Sequence, residues 1–227
     1  MKLRNPFKGF TKFEWCLWMG SLLIILLTGI LGNGDSALSL IASLIGVTSL
    51  VFAARGDVLG PILMVIFSVL YSIVSYTFCY YGEIITYLFM TAPISLMAVY
   101  SWLKHPYKRG EVQIADIHIK QCAVMLLLTV VVTAVFYVVL DALRTPNMLF
   151  STISIATSFL AAYLTVLRHP AYALAYAAND IVLIVLWVLA SIKTPAYLTV
   201  VVCFAVFLCN DLYGFINWRR MKRKQSR

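Results

Sequence analysis

Long runs of apolar residues alternate with short polar breaks from one end of the chain to the other. The runs cover about 15–31, 36–54, 58–81, 84–103, 121–143, 149–167, 172–192 and 196–218. Each is close to the ~20 residues that an α-helix needs to cross the hydrocarbon core of a bilayer. None alternates with period two, and each is about twice the length of a membrane strand, so helices rather than a β-barrel are indicated. The pattern predicts an all-α integral membrane protein with eight transmembrane helices.

The breaks carry the second signal. Sixteen of the eighteen Lys and Arg fall in every second break, on one side of the membrane: Lys2, Arg4, Lys8 and Lys12 before the first run, Arg55 after the second, Lys104, Lys108, Arg109 and Lys120 after the fourth, Arg168 after the sixth, and Arg219, Arg220, Lys222, Arg223, Lys224 and Arg227 after the eighth. Arg144 and Lys193 fall on the other side. Positive loops stay cytoplasmic. The chain is therefore expected to be a multi-pass protein of the plasma membrane with both termini in the cytoplasm, as an even number of spans requires.

Span order suggests a duplication. Sliding the chain by 116 residues lays the third and fourth spans over the seventh and eighth without a gap, so that Tyr71 meets Trp187 and Trp102 meets Trp218. If spans two to four and six to eight are copies, both triplets start on the same side, which requires an odd number of crossings between them. Span five supplies one. The result is a 3+1+3 parallel-repeat plan of the SWEET type with one extra amino-terminal helix. The predicted parts of a single 1–227 membrane domain are a tail and extra helix over 1–35, a first bundle over 36–103, a loop and helix over 104–148, a second bundle over 149–218 and a basic tail over 219–227.

Composition narrows the function classes. With 227 residues, 62% hydrophobic and 12% charged, no length is left for a soluble domain. The net charge of +9 sits at span ends, where topology explains it, so nucleic acid is not an expected partner. Cys16, Cys79, Cys122, Cys203 and Cys209 read as structural thiols in helices. No nucleotide-binding loop or hydrolase motif occurs, and His105, His118 and His169 are scattered among inner loops, so neither an enzyme nor a bound cofactor or metal is expected. The first basic-then-apolar segment reads as a retained helix.

Several polar residues lie where lipid disfavours them. Asn179 and Asp180 are about eight residues into the seventh span, and Asn210 and Asp211 about eight residues from the inner end of the eighth. At 1.5 Å per residue both pairs lie roughly 12 Å deep and can face one another. A carboxylate at such depth costs at least ~2.5 kcal/mol and calls for a partner, a wet cavity or a proton. Asn210, Gly214 and Asn217 form a stripe with a gap at Gly214, while Ser68, Ser72 and Ser75 with Tyr71 and Tyr76 soften the third span. Trp15, Trp18, Trp102, Tyr80, Tyr81 and Trp218, near span ends, read as interfacial belt residues. Trp187 and Tyr71 lie deeper and are candidates for stacking on a flat, cationic ring.

The stretch from Ala178-Asn179-Asp180 to Trp187, then Cys203-Phe204, then Asn210-Asp211-Leu212-Tyr213-Gly214-Phe215-Ile216-Asn217-Trp218 resembles the carboxy-terminal half of PnuC-type vitamin transporters, the nicotinamide riboside transporter family. The resemblance implies a SWEET-like fold, a homotrimer with one route per subunit, and uptake of nicotinamide riboside by facilitated diffusion with trapping by a separate cytosolic kinase. It assigns substrate binding to Trp187, Asn210, Tyr213, Asn217, Asn179, Asp180 and Asp211, to which depth adds Tyr71. Relatives dedicated to thiamine, riboflavin or deoxynucleosides leave the vitamin open. A membrane receptor or assembly subunit that passes nothing is the alternative from another class.

Overall fold

Every apolar run becomes a helix, because a backbone in lipid must satisfy its own hydrogen bonds. The structure is a computed structural model that describes residues 7, 9–31, 37–77, 81–145, 147–192 and 197–226. Lys2, Arg4, Lys8, Lys193, Arg227, Cys79 and Tyr80 lie outside the described residues. The helices are α1 (Lys12–Leu31), α2 (Ala37–Ala54), α3 (Leu59–Thr77), α4 (Tyr81–Ile85), a π segment (Thr86–Thr91), α5 (Ala92–Lys104), α6 (Ile119–Ala142), α7 (Met148–Val166), α8 (Ala171–Ser191) and α9 (Leu198–Gln225). The fourth span is α4, the π segment and α5 end to end, so among the described residues eight helical rods are long and apolar enough to cross a membrane.

The contacts pair off as a two-fold repeat demands. In the first half α2 packs on α3 and α3 on α5; in the second, α7 packs on α8 and α8 on α9. Across the seam α2 meets α9 and α5 meets α7, which are equivalent contacts if α2, α3 and α5 correspond to α7, α8 and α9. Helix α6 packs chiefly on α7, at the edge of the bundle.

The side-chain bonds across that seam are matched as well. Ser101 Oγ and Trp102 Nε1 of α5 donate to the carbonyls of Val166 (2.7 Å) and Thr165 (2.9 Å) at the end of α7. Asn217 Nδ2 and Trp218 Nε1 of α9 donate to the carbonyls of Ala54 (2.9 Å) and Ala53 (2.8 Å) at the end of α2. The acceptors are last-turn carbonyls, which have no partner within their own helix. The turn that follows each helix repeats too, with left-handed backbone at Gly56 (φ 67°) and Arg168 (φ 59°).

Trp102 and Trp218 are thus not belt residues: they are 2% and 0% exposed, with ring centroids 5.4 Å apart. Depth along a span places a Trp near the interface, but here each indole N–H adds a second hydrogen bond to a helix-end carbonyl, Ala53 or Thr165, that also accepts from the turn N–H of Gly56 or Arg168. Trp15, by contrast, is 40% exposed.

One further departure sits at the same end, here called the basic face. The residues after 218 continue α9 to Gln225 rather than forming a free tail. Met221 is buried, Lys222 pairs with Asp116, and Gln225 accepts from Ile114 N–H and donates to the Val112 carbonyl. The Lys222 hydrogen bond and charge hold Asp116 below the usual carboxylate range. Burial, then Lys222, lowers the pKa of His169.

Helices α2 and α3 touch backbone to backbone at Gly60. A Cβ there would lie 2.5 Å from Ala53 N and 2.6 Å from its Cα. Gly60→Ala should force the pair apart and destabilise the protein by about 1–3 kcal/mol. A lowered thermal midpoint in detergent is the check.

Candidate functional site

A Pro in the fourth span shapes the site. Pro93 has no N–H, and its ring would crowd the carbonyl four residues earlier. The chain before it widens: the Ala92 N–H reaches back five residues to the Tyr87 carbonyl, and Thr91 Oγ1 donates to the Thr86 carbonyl at 3.2 Å. Such one-turn π insertions concentrate at functional sites.

Thr86 and Tyr87, on the widened turn, line a half-open cavity between the two halves. It has a volume of about 300 Å³ and lies between the first half (Gly82, Glu83, Thr86, Tyr87) and the second (Ser151, Ser154, Ser158, Leu183, Trp187). Leu140, Arg144 and Asn147, from the end of α6 and the loop before α7, complete its rim. Its mouth is therefore at the end remote from the basic face. Ser158 lies ten residues from the start of α7, so the floor is about 15 Å down.

The wall is aromatic and hydroxylic. Tyr87 packs on Tyr71 with ring centroids 4.6 Å apart, and Tyr71 in turn stacks on Phe67 at 5.4 Å. Across the cavity Trp187 meets Tyr197 edge-on at 5.3 Å. Behind Ser154 and Ser158, Asn179 Oδ1 accepts from Ser154 Oγ (3.2 Å), Thr157 Oγ1 (2.8 Å) and Ser158 Oγ (3.0 Å). One buried amide thus orients the hydroxyls of α7.

Of the eight residues singled out from sequence, Trp187 lines this cavity, while Tyr71 and Asn179 stand directly behind residues that do. Asp180 and Asp211 meet, as their matched depths suggest. Both are buried, close to one another between α8 and α9, and Asp180 Oδ2 has no hydrogen-bond partner among the described residues. Asp180→Asn keeps the shape and polarity at that contact and should change stability by less than about 1 kcal/mol, whereas Asp180→Leu leaves the buried Asp211 without its polar neighbour, at about 1–3 kcal/mol. Thermal unfolding of the two variants separates these outcomes.

The remaining three point elsewhere. Asn210 Nδ2 donates to Ser21 Oγ on α1 at 3.0 Å, Tyr213 donates to Glu14 Oε1 at 2.9 Å, and Asn217 makes the seam bond already described. Glu14 also pairs with Arg55 at 2.8 Å, so the extra helix α1 is tied to the α2–α3 turn and to α9 together. The gap at Gly214 is filled by Ala54, Ala173 and Tyr172. Sequence reasoning passed over Glu83, Thr86, Tyr87 and the α7 hydroxyls. An acid beside Gly82, four residues before Tyr87, is a helical-face signal that hydropathy had assigned to a loop.

Two parallel three-helix halves around a half-open cavity of aromatic, aliphatic and hydroxyl groups, with a matched seal at the other end, define a membrane transport protein of the repeat type. Residues 36–220 match the family described as "Nicotinamide mononucleotide transporter", and the chain belongs to that family. It is a family of transporters, not of enzymes. The nicotinamide riboside transporter PnuC of Neisseria mucosa is 28% identical over 98% of this chain and 87% of its own length. The nicotinamide riboside transporter PnuC of Haemophilus influenzae is 24% identical over 99% and 98%. The crystal structure of the vitamin B3 transporter PnuC superposes with a TM-score of 0.82 at 27% identity, covering 96% of this chain and 94% of that one.

Proposed function

We propose that the protein carries nicotinamide riboside across the plasma membrane by facilitated diffusion, with its basic face in the cytoplasm and a separate cytosolic kinase retaining the product. The observation that carries this reading is the cavity. Its volume of about 300 Å³ is at the scale of small-molecule sites, and it offers aromatic faces at Tyr87 and Trp187 with hydroxyls at Thr86, Ser151, Ser154 and Ser158. Aromatic faces suit a flat ring, and hydroxyls suit a sugar.

The same wall argues against a mononucleotide. A phosphate is bound by several N–H donors or by paired cations, and among the described residues that line this cavity the cation is the exposed Arg144 at its rim. In this reading Trp187 contacts the base. Asn179 sets the sugar-facing hydroxyls, Tyr71 supports Tyr87, and Asp180, Asp211, Asn210, Tyr213 and Asn217 hold the second half in shape. Family membership supports a homotrimer with one route per subunit.

Transport then proceeds by rocking of the halves about their seam, the bonds of Ser101, Trp102, Asn217 and Trp218 closing the cytoplasmic side while the cavity faces outward. Proteoliposomes should take up labelled nicotinamide riboside saturably, and excess nicotinamide mononucleotide or thiamine should leave the rate unchanged. Uptake no faster than in protein-free liposomes overturns the assignment.

A further inference from the structure

Glu83 is the acid among the described residues that line the cavity, and no described cation pairs with it. Among the described residues it has no hydrogen-bond or ion-pair partner, although it is partly buried. Arg144, the other charged residue of the wall, makes no ion pair with it. Arg144 is exposed, so water and salt screen its charge; the field of Glu83 is less screened within the cavity.

Its place is fixed by packing. At the neighbouring Gly82 a Cβ would lie 2.8 Å from Leu140 Cδ2, so α4 lies close against α6 there. This close approach sets where the next residue emerges. Tyr87 follows Glu83 by four residues and lines the same cavity, so the carboxylate and the ring share one side of the span.

A carboxylate left partly desolvated and unpaired raises the free energy of the ligand-free cavity. A ligand that brings a positive charge on a flat ring relieves it, and a neutral ligand of the same shape does not. We propose that Glu83 is the charge-selecting residue of the site, favouring ligands whose ring is cationic over their neutral isosteres. This rests on the riboside reading above and adds to it the group that distinguishes a pyridinium from an uncharged ring.

The probes are nicotinamide riboside, whose ring is cationic, and its reduced 1,4-dihydro form, which is neutral and of nearly the same size. Their dissociation constants are measured on the purified full chain by calorimetry. The unaltered protein should prefer the cation about ten-fold, equivalent to about 1.4 kcal/mol. Glu83→Gln should bring that ratio close to one, and Glu83→Asp should restore part of it. A ratio unchanged in Glu83→Gln, or both ligands weakened equally, overturns the role given to Glu83 while leaving the transport reading intact. Failure of the unaltered protein to bind either ligand overturns the transport reading itself. Thermal unfolding of both variants confirms that a changed ratio belongs to folded protein.

Discussion

Trp218→Ala is expected to destabilise the protein by about 3 kcal/mol and to unseal its basic face. The ring is 0% exposed, lies 5.4 Å from Trp102 and 4.7 Å from Tyr172, and gives its N–H to the Ala53 carbonyl at 2.8 Å. Lipid is as apolar as the ring's surroundings, so the loss comes from packing and the unmade hydrogen bond rather than from contact with water. Trp218→Phe separates the two contributions: it retains most of the ring and removes the donor, at about 1 kcal/mol. Because Trp102 makes the equivalent bond in the other direction, Trp102→Phe should shift stability by a similar amount. Removing both donors should raise the reactivity of thiols placed along the seam toward reagents added at the basic face. Thermal midpoints and labelling rates of the single and double variants test this directly.

The second large effect falls on the cavity. Trp187→Ala should lower riboside uptake at low substrate at least ten-fold, about 1.4 kcal/mol of lost binding, chiefly as a raised KM. Trp187 presents its ring to the cavity while its far side is braced by Tyr197 at 5.3 Å. The alanine variant loses both the stacking face and the shape of the wall. Trp187→Phe should recover part of the affinity. An unchanged KM in the alanine variant would place the substrate elsewhere.

Much of the architecture was legible in the sequence because lipid imposes simple constraints. Span length and the alternation of Arg55, Lys104 and Arg168 with Arg144 require a helical chain whose ends return to one face. Depth counting brought Asp180 to Asp211, since rise per residue is nearly constant along a helix. The overlay of Trp102 on Trp218 pointed to a true equivalence, now visible in matched bonds to Thr165 and Ala53.

Facing was harder to read. Helical spacing tells which residues share a side but not which neighbour that side meets. Asn210, Tyr213 and Asn217 accordingly turn to α1 and α2, where Ser21, Glu14 and the Ala54 carbonyl offer partners. The π turn before Pro93 rotates the first part of the fourth span relative to the rest, and no periodic pattern records that rotation. Glu83 and Tyr87 therefore reach the cavity from a stretch that hydropathy divides between a loop and a lipid-crossing run.

The most direct test of the site between the halves uses Ser158→Cys in a background without the five native cysteines. Ser158 lines the cavity near its floor, donates to Asn179 at 3.0 Å, and tolerates a thiol of similar size. A membrane-impermeant thiol reagent should label this cysteine from the face opposite the chain termini, and nicotinamide riboside should protect it in proportion to occupancy. Labelling that riboside leaves unchanged, or that proceeds from the basic face alone, would contradict a substrate site between the two halves.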